Sequence, residues 1–111
     1  MALDLTDFGP RVRRHQPEWT ALSVEVTVKP VSPNYGKAIT IAEFESGEWL
    51  ASISVWETGE LDLEAGRKAD GRLVSKHYDL DSWAQLDEVL AALIVLVRDG
   101  TAPAGAFTSW L

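Results

Sequence analysis

The stretch GEWLASISVWETGELDLEA, Gly47 to Ala65, decides how this chain folds. Its first half alternates strictly. Trp49, Ala51, Ile53 and Val55 fall on one side and Leu50, Ser52, Ser54 and Trp56 on the other, the two-residue period of a strand with one buried face. Past Thr58-Gly59 the alternation resumes, with Leu61, Leu63 and Ala65 in one phase and Asp62 and Glu64 in the opposite one. Two such runs around a glycine-bearing turn form a β-hairpin. Its register follows from keeping core and charge apart. A two-residue loop would set Glu57 opposite Glu60 and Val55 beside Asp62, an arrangement that a half-buried hairpin penalises. A three-residue loop, Thr58-Gly59-Glu60, pairs Val55 with Leu63, Ile53 with Ala65 and Trp56 with Asp62, and the faces separate.

The same period extends outward from the hairpin. LSVEVTVK, from Leu22, places Leu22, Val24, Val26 and Val28 on one side, and Pro30, Pro33, Asn34 and Gly36 then make a turn. Ala38 to Glu45 is a further strand, closed by Ser46-Gly47, and Arg72 to Leu80 follows the Asp70-Gly71 turn with Val74, Tyr78 and Leu80 in phase. Strands at hairpin spacing with no helix between them predict an antiparallel meander of about five strands. The period then changes. In DSWAQLDEVLAALIVLVRDG, residues 81–100, Trp83, Leu86, Leu90, Leu93, Ile94 and Val97 recur at helical spacing. Ser82 with Gln85 has the capping-box spacing, and Gly100 stands where a helix ends. One wide-faced helix after a meander covers the sheet's apolar face, giving an α+β, two-layer domain. The expected divisions are an N-terminal arm or short helix over 1–18, the sheet over 19–80, the helix over 81–99 and a tail over 100–111, which docks or stays loose.

At 111 residues, 46% apolar and 24% charged, the composition is that of one globular domain. The absence of cysteine excludes disulfides, thiolate metal sites and cysteine nucleophiles. The first residues, MALDLTDFGPRVRRHQPEW, resemble neither a secretory signal nor a presequence, and the longest apolar run, Val89 to Val97, is far short of the ~20 residues a membrane span needs. A cytoplasmic protein without a membrane partner is expected. The charge is more telling. Net charge is −7, from 17 acids against 10 bases, and the whole excess lies between Glu43 and Glu64, where Glu43, Glu45, Glu48, Glu57, Glu60, Asp62 and Glu64 meet no lysine or arginine. Phosphate binding needs clustered cations, so nucleic acid is excluded as a partner, and a protein with a basic surface is the complement.

Chemistry finds little support. His77 and Asp79 share a strand face and form a His–carboxylate pair, but no positioned nucleophile accompanies them. Glu60, Asp62 and Glu64 line one face at two-residue spacing without a glycine-punctuated cation loop, and no phosphate-binding glycine loop or GxSxG is present. No catalytic residue, cofactor or metal site is expected. What stands out is Trp56, a large aromatic on the polar side of its strand among Glu57, Glu60, Asp62 and Glu64. An aromatic amid carboxylates suits a basic partner through stacking or cation–π contact. The alternative is that the Arg11, Arg13, Arg14 arm or the C-terminal tail covers it within the same chain.

The run SISVWETGELDLEA, with the GRKADGRLVSKHYDL strand and the DSWAQLDEVLAALIVLV helix, resembles the TriTu group of immunity proteins from bacterial polymorphic toxin systems, over about Leu22 to Gly100. The resemblance implies a small α+β, non-enzymatic, cytosolic protein that binds and neutralises a cognate toxin domain, often a nuclease. It carries over no catalytic residues. The competing expectation is a structural or regulatory module, monomeric or homodimeric, in which one chain's arginine arm meets another's acidic face.

Overall fold

The alternating runs become a seven-stranded antiparallel sheet in the computed structural model, which describes residues 3–111. The strands are β1 (Glu25–Val28), β2 (Ser32–Asn34), β3 (Lys37–Glu45), β4 (Trp49–Trp56), β5 (Glu60–Arg67), β6 (Arg72–Asp79) and β7 (Phe107–Trp110). β1 and β3 to β6 form the expected five-strand meander, and two strands, β2 and β7, add to it. β1 and β2 lie end to end along the same side of β3, opposite Ala42–Glu45 and Lys37–Ile39 respectively. The break between them falls at Pro30, which has no amide hydrogen to donate, and the Thr40 hydroxyl fills in by donating to the Lys29 carbonyl at 3.0 Å. β7 is built from the tail and pairs with β6.

The central hairpin keeps the expected faces but shifts register by two residues. Val55 pairs with Leu61, Ile53 with Leu63 and Ser54 with Asp62, in place of the expected Val55–Leu63, Ile53–Ala65 and Trp56–Asp62. The cause is where the glycine must sit. Gly59 closes the turn by donating to the Trp56 carbonyl at 2.9 Å and takes φ +102°, so the loop is Glu57-Thr58-Gly59. Gly59 also abuts β6, and a Cβ there would lie 2.3 Å from the Leu80 carbonyl oxygen. Only glycine satisfies both constraints. Because the shift is even, every side chain stays on its own face.

The N-terminal segment, expected as an arm or short helix, is helical and enters the core. A 3-10 turn, Leu5–Asp7, is capped by Asp4, whose carboxylate accepts the Thr6 amide at 3.0 Å. It leads into α1 (Phe8–Arg13) and α2 (Gln16–Ala21). Met1 and Ala2, the start of the expected arm, lie outside the described residues. α2 ends at Leu22 and Ser23 turns with φ 55°, so the strand begins at Glu25, not at Leu22.

A second 3-10 turn, Trp83–Gln85, opens α3 (Leu86–Asp99), and Gln85 folds back to accept the Ser82 amide at 3.3 Å. Gly100 ends the helix with φ 75°.

All three helices pack on the same side of the sheet. Leu86, Leu90, Leu93 and Leu96 of α3 meet Ile53, Leu61, Leu63 and Val74, all fully or almost fully buried. Phe8 stacks on Trp83 with centroids 6.0 Å apart, and Trp19 tilts against Phe44 at 5.1 Å. Each buried side chain of this size contributes about 1.5–3 kcal/mol, so Phe8, Val12 and Trp19 make the N-terminal helices part of the core.

Candidate functional site: the uncovered face of the sheet

With the helices on one side, the other face of the sheet is left open, and strand phase dictates what it shows. β1 contributes Glu25 and Thr27, β3 Glu43 and Glu45, β4 Leu50, Ser52, Ser54 and Trp56, and β5 Glu60, Asp62 and Glu64. Glu43, Ser52, Glu64 and Ser75 stand in one cross-strand row, and Ile41, Ser54, Asp62 and His77 in the next. The serines of β4 therefore form a low central strip between two carboxylate ridges. The strip is polar and narrow.

Cations answer only part of this charge. Lys37 reaches Glu60 at 3.3 Å, Lys29 reaches Glu43 at 3.5 Å, and Lys68 reaches Glu45 at 2.8 Å. The Thr58 hydroxyl donates to Glu60, and this contact, followed by the Glu60 backbone amide and then by Lys37, holds the Glu60 carboxyl below its ordinary pKa. Glu25 and Glu45 stand directly opposite one another, a like-charge pair. Glu25 and Glu64 have no cation partner among the described residues.

Of the residues singled out from sequence, Trp56, Glu60, Asp62 and Glu64 are brought to this one face, while Glu57 lies in the hairpin loop. Trp56 is half-buried. It pairs with Ile39, and its indole nitrogen donates to the Asn34 side chain over a long 3.4 Å, because β2 wraps the rim of the sheet at that end. Among the described residues neither terminal segment covers it: α1 and α2 sit on the opposite face, the Leu3 amide donates to the Glu57 carbonyl in the hairpin loop, and the tail runs beside β6.

His77 and Asp79 do share the face, and Asp62 joins them across the ladder. His77 Nδ1 lies 2.7 Å from Asp62 and Nε2 lies 3.0 Å from Asp79. Hydrogen bonds first to Asp62 and then to Asp79 raise the His77 pKa above its ordinary value. An imidazole with both nitrogens donating offers no lone pair, so this cluster is built to hold a proton and not to act as a base.

Sequence reasoning missed the apolar part of the face. Leu50, Gly66 and Leu73 are adjacent in register across β4, β5 and β6, and Phe107 of β7 stands beside them. Leu50, Leu73 and Phe107 are 52%, 37% and 69% exposed, around an open trough of about 540 Å³ with Glu43 and Glu64 on its walls. Leu50 in the polar phase of its strand was the visible signal. Phe107 gave none, because the tail's pairing with β6 is a tertiary event.

The fold thus defines a small α+β protein with one open, charged and partly apolar sheet face. A family model described as "Immunity protein TriTu" matches residues 13–95, most of the chain, and the chain belongs to that family of non-enzymatic immunity proteins, which implies neutralisation of a cognate toxin protein. Comparison with curated proteins and with solved structures gives no match.

Proposed function

We propose that this immunity protein neutralises its toxin in the cytoplasm by laying the uncovered face of the sheet on a basic surface of the toxin, of the kind a nuclease presents to its substrate. The observation that carries the reading is the sign of the face. Glu25, Glu43, Glu45, Glu60, Asp62, Glu64 and Asp79 share it, against Lys29, Lys37, Lys68 and His77. Such a surface steers association with a cationic partner and discriminates against acidic ones. Trp56, with Glu57 and Glu60 at the hairpin end, forms one margin of the contact, and Asp62 and Glu64 lie nearer its centre.

Self-association through the arginine cluster fits less well. The exposed Arg13 and Arg14 lie on the helical side of the molecule, opposite the acidic face, so one two-fold interface cannot join both pairs of patches at once. Contacts of that kind would propagate instead of closing.

The test is a variant carrying Trp56→Ala, Asp62→Lys and Glu64→Lys, expressed beside the toxin. Native-like circular dichroism with loss of protection is the expected result. Full protection by the folded variant would sink the assignment of this face.

A further inference from the structure

We infer that the trough floored by Leu50, Gly66 and Leu73 receives an apolar side chain of the toxin that is flanked by arginine or lysine. This rests on the reading of the uncovered face as the toxin-binding face.

The floor has a specific shape. In the row Leu50–Gly66–Leu73 two partly exposed leucines flank a residue without a side chain, across two strand spacings of ~4.8 Å each. The result is a notch one side chain wide, with Phe107 at its rim.

The glycine is not demanded by the backbone. Unlike Gly59, Gly66 does not have a positive φ, and a Cβ on it would make only ordinary contacts, 3.6 Å to Leu73 and 3.9 Å to the Leu50 carbonyl. Glycine within a strand weakens it and often marks a place where another group approaches closely. The fold has room for a larger residue here, and what glycine provides is the notch.

Charge selects the occupant. Exposed Glu64, with no cation partner among the described residues, and Glu43 across Ser52 stand on the wall beside the floor. An apolar side chain in the notch therefore places its sequence neighbours beside two carboxylates, which favours arginine or lysine. A second copy of this chain is disfavoured, because its net charge of −7 would be brought against the same ridges.

The test uses ¹⁵N-labelled protein titrated with acetyl-Arg-Leu-Arg amide and with acetyl-Glu-Leu-Glu amide. Expected are saturable shifts at Ser52, Glu64, Gly66 and Ser75 with the basic peptide, and at least tenfold weaker binding of the acidic one. Gly66→Phe fills the notch without changing any charge, and should weaken the basic peptide at least tenfold while the spectrum stays dispersed. Leu50→Ser with Leu73→Ser, both at exposed positions, removes the floor and should do the same.

Equal response to the two peptides, or undiminished binding by both variants, overturns the inference. So does a concentration-dependent dimer in light scattering that Gly66→Phe abolishes, since that assigns the notch to a second copy. The two readings fail separately. Protection lost on reversing Asp62 and Glu64 but kept in Gly66→Phe removes the notch and leaves the face. Arginine-dependent binding at the notch, with protection unaffected by the reversal, removes the face as the toxin-binding surface and leaves the notch as a peptide site.

Discussion

His77 holds Asp62 across the β5–β6 ladder, Nδ1 to Oδ1 at 2.7 Å, while its Nε2 engages Asp79 at 3.0 Å on its own strand. The folded state therefore keeps the imidazole proton more tightly than the unfolded chain does, and the His77 pKa is raised. For a raised pKa the stabilisation is fully present below the unfolded value and is lost as pH rises through the folded one. His77→Gln should thus cost stability at roughly pH 5.5 and little at roughly pH 9. With His77 about half exposed, the difference should stay under about 1 kcal/mol. Titration of the imidazole by NMR checks the sign, and a midpoint at or below that of a free histidine would refute it.

The two strand-associated glycines should respond oppositely to alanine. Gly59→Ala places a Cβ 2.3 Å from the Leu80 oxygen at φ +102°, and should lower the unfolding free energy by about 2–4 kcal/mol. Gly66→Ala should raise it by about 0.5–1 kcal/mol, because alanine loses less backbone entropy and meets no clash. Paired urea denaturation curves measure both.

Two buried tryptophans differ in what their indole nitrogens do. Trp19 Nε1 donates to the Val12 carbonyl at 2.9 Å, whereas Trp83 Nε1 is buried with no partner among the described residues. Trp→Phe removes similar volume at both sites but removes a hydrogen bond only at Trp19, where the Val12 carbonyl is left with the His15 amide alone. Trp19→Phe should be the more costly by about 1 kcal/mol. Equal losses in thermal unfolding would contradict the assignment.

Glu25 opposite Glu45 is a repulsive cross-strand pair on the face proposed to bind the toxin. Glu25→Lys should stabilise the free protein by about 0.2–1 kcal/mol at low salt, and the gain should shrink at ~1 M salt. The same change should slow association with the toxin. Faster association, measured by stopped flow, would count against the acidic face as the docking surface.

Periodicity made most of the sheet legible. The two-residue alternation of WLASISVW and LDLEA assigned each side chain to its face, and those assignments survive although the register is shifted by two. Period fixes a residue's face but not its partner, and the partner was set by Gly59, whose conformation and contact with Leu80 lie outside any alternation. The helix was equally readable, since six apolar residues at helical spacing between Ser82 and Gly100 leave one solution. α1 and α2 span too few residues to show a period, so Phe8 and Val12 read as part of an irregular arm or short helix and Trp19 as the edge of the sheet segment.

The site divides in the same way. Sequence alone determined that the acid excess sits in one segment and that Glu60, Asp62 and Glu64 share a face with Trp56, because these follow from spacing and residue type. Tertiary structure decided which face stayed open, since the helices could cover only one. It half-buried Trp56 against Asn34, when β2 wrapped the rim. It also built the Leu50–Gly66–Leu73 floor and brought Phe107 to its edge, because a row running across strands exists only once the strands have paired.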